Sequence, residues 1–148
     1  MDIIDILTPT RTLNDLECNS KKRALEATSE WLATVIPAFD ATELFTALIS
    51  REKLGSTGFG DGIALPHCRL ATCDQVTGAL IKLKNGIDFD AIDRKSVDIM
   101  FILLVPENAT NEHLQVLSTL AGKFGEAEFR ERLRACNSNE ELFQAATR

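Results

Sequence analysis

The residues of this chain that could do chemistry gather in one stretch and one outlier. Four of the eight glycines, Gly55, Gly58, Gly60 and Gly62, fall within GSTGFGDG, interleaved with Ser56 and Thr57. Glycine permits positive φ and close backbone approach. Such a run can turn several N–H groups, with the two hydroxyls, onto one anion; a tight helix-to-strand turn would need fewer glycines. The chain has two histidines, His67 and His113. His67 follows Pro66 at the end of the short apolar piece IALP. Proline fixes its own φ and removes a donor, so the strand is expected to stop there and aim His67 from a rigid backbone. Taken alone, such a histidine is more often structural or simply exposed than reactive, and the glycine run just upstream shifts that balance.

His113 is expected in the first turn of a later helix. The free N–H groups and partial positive charge of a helix start favour an anion. The same field disfavours an imidazolium, so a neutral, donating His113 is expected; a helix-edge histidine satisfied by water is the plain alternative. Arg51 ends a helix just before the glycine run. There a guanidinium either interacts favourably with the helix dipole or grips a phosphate in bidentate fashion. Lys53 and Arg69 read as surface charges or partner contacts.

Other chemistries fit less well. A P-loop needs Lys-Ser/Thr after its last glycine, whereas Ile63 follows Gly62, and the dinucleotide pattern fails at the same place. Ser56 and Thr57 lack the G-x-S-x-G elbow of a hydrolase, and Asp61 is the one acid near enough to orient His67. The cysteines, Cys18, Cys68, Cys73 and Cys136, form no C-x-x-C pair, so neither a metal knuckle nor a disulfide framework is expected.

The elements that must position these groups follow from hydrophobic spacing. Residues 2–15 read as a strand or turn. Asn19 or Ser20 caps a helix to about Ile36, with Ala24, Leu25, Thr28, Trp31, Leu32 and Val35 on one stripe. Asp40 and Glu43 open a second helix through about Arg51, burying Leu44, Phe45, Leu48 and Ile49. Val76 to Lys84 reads as a strand, Asn85-Gly86 as a hairpin turn, and Ile87 to Phe89 as the returning strand. Val97 to Val105 suits a central strand buried on both faces. A helix is expected from about Thr110 to Phe124, with Leu114, Leu117, Ala121 and Phe124 inward. Another spans 126–135, and a last one follows Ser138. The class is therefore α/β: one domain over residues 1–148, a mixed sheet covered by helices. Ligand sites in such folds lie outside the carboxyl ends of strands, and both histidines are expected to follow such ends.

The 148 residues carry a net charge of −6 and are 45% hydrophobic. That is enough apolar content for a core, and the charge argues against nucleic acid. Ile99 to Pro106 is too short to cross a bilayer, and the first residues lack a signal-peptide pattern. A soluble cytoplasmic protein with no membrane insertion is expected.

The run REKLGSTGFGDGIALPH resembles the active-site stretch of the mannitol/fructose-type enzyme IIA domains of the bacterial phosphoenolpyruvate-dependent phosphotransferase system. SKKRALE, IDFDAIDRKSVDIMFILLVPE and EHLQVLSTLA are similar to its nitrogen-regulatory branch. The likeness covers about residues 2–146. It implies that His67 is the phosphorylated histidine, that His113 contacts the phosphoryl group, that Arg51 stands near it, and that Ser56 and Thr57, with Gly58 and Gly60, hold phosphate. It further implies a phosphohistidine donor on an HPr-like carrier, no metal or organic cofactor, and a phosphocarrier rather than a turnover enzyme. The phosphorylation state would control regulatory targets such as transporters or sensor kinases. Two alternatives stand beside this: a sugar-specific component passing phosphate to a separate IIB protein, and a non-catalytic binding module. One departure is Cys68, where the family usually has a small residue, often glycine. Inert packing is expected of it rather than a redox role.

Overall fold

The computed structural model describes residues 1–148, apart from the side chain of Glu112. The first residues form a one-turn helix, Ile3–Ile6 (α1), and a strand, Thr12–Leu16 (β1). Two long helices then start where a side-chain oxygen closes the first turn. Ser20 Oγ accepts the Arg23 N–H at 3.1 Å to begin Lys21–Val35 (α2), and Asp40 accepts the Glu43 N–H at 2.9 Å to begin Ala41–Lys53 (α3). Each such cap is worth about 1 kcal/mol. Three short strands follow, Gly58–Gly60 (β2), Ile63–Ala64 (β3) and His67–Leu70 (β4), then two long ones, Thr77–Ile87 (β5) and Val97–Pro106 (β6). The chain closes with Glu112–Phe124 (α4), Ala127–Arg134 (α5) and Asn139–Thr147 (α6), the last capped by Ser138.

The sheet is mixed, in the order β1-β5-β6-β3-β2, with β4 also on β6. β6 is the spine: β5 lies antiparallel on one side, β3 and β4 parallel on the other. Its alternation divides the core, as a strand covered on both faces should. Met100, Ile102 and Leu104 join Leu25 and Leu32 of α2 and Leu44 and Leu48 of α3. Ile99, Phe101, Leu103 and Val105 face α1 and α4–α6. There Phe124 packs between Phe101, tilted to it, and Phe129, edge to face, with ring centroids 5.9 and 5.1 Å away. Truncating such a side chain typically costs about 3–5 kcal/mol. No helix of the described residues is long and apolar enough to cross a membrane.

Three sequence expectations need correction. Asn85-Gly86 is not a turn; it lies inside the continuous β5, at a register shift between Lys82 and Ile87. The reversal into β6 is made instead by residues 88–96, with Asp90 and Arg94 at φ of 57° and 62°. Gly86 answers to close packing, since a Cβ there would stand 2.7 Å from Ser96 Cβ. Residues 2–15 contain a helical turn as well as a strand, because β1 adds in parallel to β5 at Thr12↔Leu80 and needs a lead-in. In α4 the buried stripe is Val116, Leu120 and Phe124, while Leu114 is 55% exposed. Of the expected inward residues Phe124 is fully buried and Leu117 and Ala121 pack against the core, so Leu114 alone departs.

Candidate active site

The geometry at His67 begins with the proline before it. β3 ends at Ala64, opposite Met100, and β4 begins at His67, opposite Leu103. Between them Leu65 and Pro66 break the ladder without leaving the sheet: the Leu103 N–H still donates to the Pro66 carbonyl at 2.9 Å. His67 therefore follows the end of β3, as the sequence suggested, but opens a resumed strand opposite Leu103, toward the end of β6. Proline interrupts pairing by lacking its own N–H, yet its carbonyl remains an acceptor.

The His67 ring is half-buried, with Nδ1 2.8 Å from the Leu65 carbonyl oxygen. A carbonyl only accepts, so Nδ1 carries the proton and Nε2 keeps its lone pair. Burial pushes the ring's pKa below its ordinary value. The Leu65 carbonyl opposes this, Arg51 and His113 add to it, and Glu52 opposes it weakly. The ring is thus held neutral and nucleophilic at neutral pH.

His113 lies in the first turn of α4, and its Nδ1 is 2.8 Å from the Thr110 carbonyl oxygen. The neutral ring spends its single N–H there. The expected neutral donor is therefore an acceptor at Nε2, and only the protonated ring could donate to a phosphoryl oxygen from that nitrogen. Arg51, in the last turn of α3, donates from Nη1 to the Gly55 carbonyl at 2.9 Å. His67 and Arg51 both line two adjoining hollows, of about 570 and 450 Å³. His113 borders the first hollow, together with Leu54; Leu114, Leu117, Ser56 and Thr57 border the second. The structure thus gathers Arg51, His67 and His113 at one place.

The glycine run is organised differently from an open nest. Ser56 Oγ donates to the Phe89 carbonyl at 2.7 Å and accepts the Gly58 N–H at 3.0 Å. Thr57 donates both its hydroxyl, at 2.7 Å, and its N–H, at 2.9 Å, to the Glu52 carboxylate. Gly58 and Gly60 sit in β2 and border neither hollow. A Cβ on Gly58 would stand 2.9 Å from Ala91 Cβ, and one on Gly60 would face the Asp93 carboxylate at 3.5 Å. Ser56, Gly58 and Gly60 thus meet the 88–96 loop, while Thr57 is tied to α3.

Glu52 was not foreseen. It is 5% exposed, and beyond Thr57 it meets Lys21 Nζ at 3.5 Å. The signal was in the sequence: Leu44, Leu48 and Glu52 recur every fourth residue, which puts an acid on the buried stripe of α3. Cys68 is 8% exposed and packs in the α2/α3-side core. Burial pushes its thiol up to about 12, so it stays protonated and unreactive. Among the described residues no three His, Cys, Asp or Glu side chains converge to hold a metal ion.

With this geometry in place, likeness to known proteins is informative. The family model of the phosphoenolpyruvate-dependent sugar phosphotransferase system, EIIA 2, matches residues 5–147. A nitrogen regulatory protein of Pseudomonas aeruginosa is 49% identical over 94% of this chain and 90% of its own. A fructose-specific EIIA component of Haloferax volcanii is 32% identical over 95% and 93%. The crystal structure of the nitrogen regulatory protein IIA-Ntr from Neisseria meningitidis superposes with a TM-score of 0.88 at 46% identity, covering 97% of both chains. The chain belongs to the EIIA 2 family of the phosphoenolpyruvate-dependent sugar phosphotransferase system, in which it is similar to the nitrogen regulatory proteins.

Proposed function

We propose that His67 accepts a phosphoryl group at Nε2 from the phosphohistidine of an HPr-like protein in the cytoplasm, and that partner proteins respond to its phosphorylation state. The observation that carries this is the pinned ring: Nδ1–H on the Leu65 carbonyl, Nε2 bare, beside hollows shared with Arg51 and His113. The Nε2 lone pair attacks phosphorus. The new P–N bond forms as the donor's P–N bond breaks, and the electron pair returns to the donor ring. His67 releases no proton, and the Leu65 carbonyl stabilises the positive charge that develops on its ring. Arg51 faces the charge on the transferring oxygens, with His113 beside it, so the protein contributes position and electrostatics. Ser56 and Thr57 act by setting the loop that carries the Gly55 anchor of Arg51.

A phosphoryl group adds about −1.5 to −2 charges to this face, a change that a partner's surface can read. The higher identity to nitrogen regulatory proteins supports a regulatory role over sugar uptake. Discharge of the phosphorylated protein to a fructose or mannitol IIB protein would reverse that order. The direct test is incubation with a phosphoenolpyruvate-driven transfer chain. The native chain takes up acid-labile phosphate and His67→Ala takes up none. Equal labelling of the two would remove the assignment.

A further inference from the structure

Two residues after His67, on the same face of β4, stands Arg69. Its Nη1 donates to the carbonyls of Ala109, at 2.6 Å, and Glu107, at 3.3 Å. Those carbonyls belong to the link between β6 and α4, whose next residue, Thr110, supplies the carbonyl that fixes the His113 ring. The other end of the link is tied by the Glu107 N–H to the Leu70 carbonyl at 3.1 Å. The start of α4 has little anchorage of its own. α2, α3 and α6 each begin with a side-chain cap, but Asn111, at the cap of α4, makes no such bond. An uncapped helix start leaves its first turn to outside partners.

We propose that Arg69 is a positioning residue for the phosphoryl transfer, acting through His113. It holds residues 107–110 against β4, and so sets where His113 Nε2 stands relative to His67. The inference rests on His67 being the phosphoryl carrier. It makes Arg69 more than the surface charge its sequence context suggests. Charge-assisted bonds to carbonyls suit the task, because a guanidinium offers several donors on a rigid fork.

The test is a double-mutant cycle on the transfer rate from a phosphorylated HPr-type donor, with the His113 ring observed by long-range ¹H–¹⁵N NMR in the unphosphorylated protein. Arg69→Met is expected to slow transfer roughly tenfold at saturating donor, since an ångström of misplacement can cost up to about a hundredfold. The apparent KM should stay near its native value. Arg69→Lys, which keeps a donor, should recover part of the rate. Arg69→Met/His113→Ala should be no slower than His113→Ala alone, because the two residues act in series. In Arg69→Met the His113 signals should shift from the Nδ1–H tautomer toward a mixture. Additive rate losses, a native rate in Arg69→Met, or an unchanged tautomer would each overturn the proposal. The NMR arm needs no phosphate, so failure of the native chain to be labelled would count against the carrier role of His67 alone.

Discussion

The Leu65 carbonyl oxygen lies 2.8 Å from Nδ1 of His67 and decides which ring nitrogen is free. The contact exists because Pro66 interrupts the strand between Leu65 and His67, turning that carbonyl back toward the ring. It fixes a tautomer that no reading of residue order could supply, as it depends on a local hydrogen bond.

The regiochemistry follows. Phosphorylated protein should carry the group on Nε2 of His67, with Nδ1 still protonated. Phosphorus–nitrogen couplings in ¹⁵N-labelled protein, or separation of the two phosphohistidine isomers after alkaline digestion, distinguish the outcomes. Phosphate on Nδ1 would mean that the Leu65 bond is broken before reaction, and attack by a pinned, neutral ring would no longer describe the transfer.

A second expectation concerns pH. Burial first, with Arg51 and His113 beside it, holds the His67 ring below its ordinary value of 6.5. An NMR titration of the ring should therefore give a midpoint below 6.5, and acceptance of phosphate should persist into mildly acidic solution. As pH falls through 6.5 the unfolded chain binds this proton before the folded chain does, so stability drops across that window and is unaffected by this group above it. Acidification should thus lower the Tm of the native chain more than that of His67→Ala. A ring midpoint at or above 6.5 would show that burial, with Arg51 and His113 beside it, does not govern it.

Much of the frame was legible because it rests on short-range rules. Caps at Ser20, Asp40 and Ser138, and the apolar run of β6, each give their element unaided. The features that were not legible depend on what lies across the fold. Asn85-Gly86 carries a hairpin signature, but its glycine is set by the 2.7 Å approach of Ser96. Gly58 looked like part of an anion nest, yet its neighbour is Ala91, which comes from a loop beyond the end of β5. Arg51, His67 and His113 were singled out by residue type and spacing, and the fold brings them together. The work of Ser56 and Thr57 was not visible, because the hydroxyls' partners, Phe89 and Glu52, follow from packing rather than from the glycine pattern.

Glu52 offers the sharpest test of how the loop is held. Its buried carboxylate accepts both Thr57 donors and faces Lys21, which also meets Asp90 at 3.0 Å. Glu52→Ala would strand a buried N–H, a hydroxyl and part of an ammonium's pairing, a loss expected to cost about 3 kcal/mol. Glu52→Gln keeps one acceptor oxygen for the Thr57 N–H but gives up the charge and the second acceptor, so about 1 kcal/mol is expected. Denaturant midpoints at constant m-value measure both. The effect should reach the chemistry as well, because Arg51 is anchored on the Gly55 carbonyl, inside the segment that Glu52 and Thr57 clasp. At temperatures where Glu52→Ala remains folded, phosphoryl transfer should still be slower than in the native chain, and Glu52→Gln should lie between. A Glu52→Ala protein within about 0.5 kcal/mol of native stability, the range of ordinary surface changes, would show that the loop stands without this carboxylate. Native transfer in a destabilised variant would separate the clasp from the placement of Arg51.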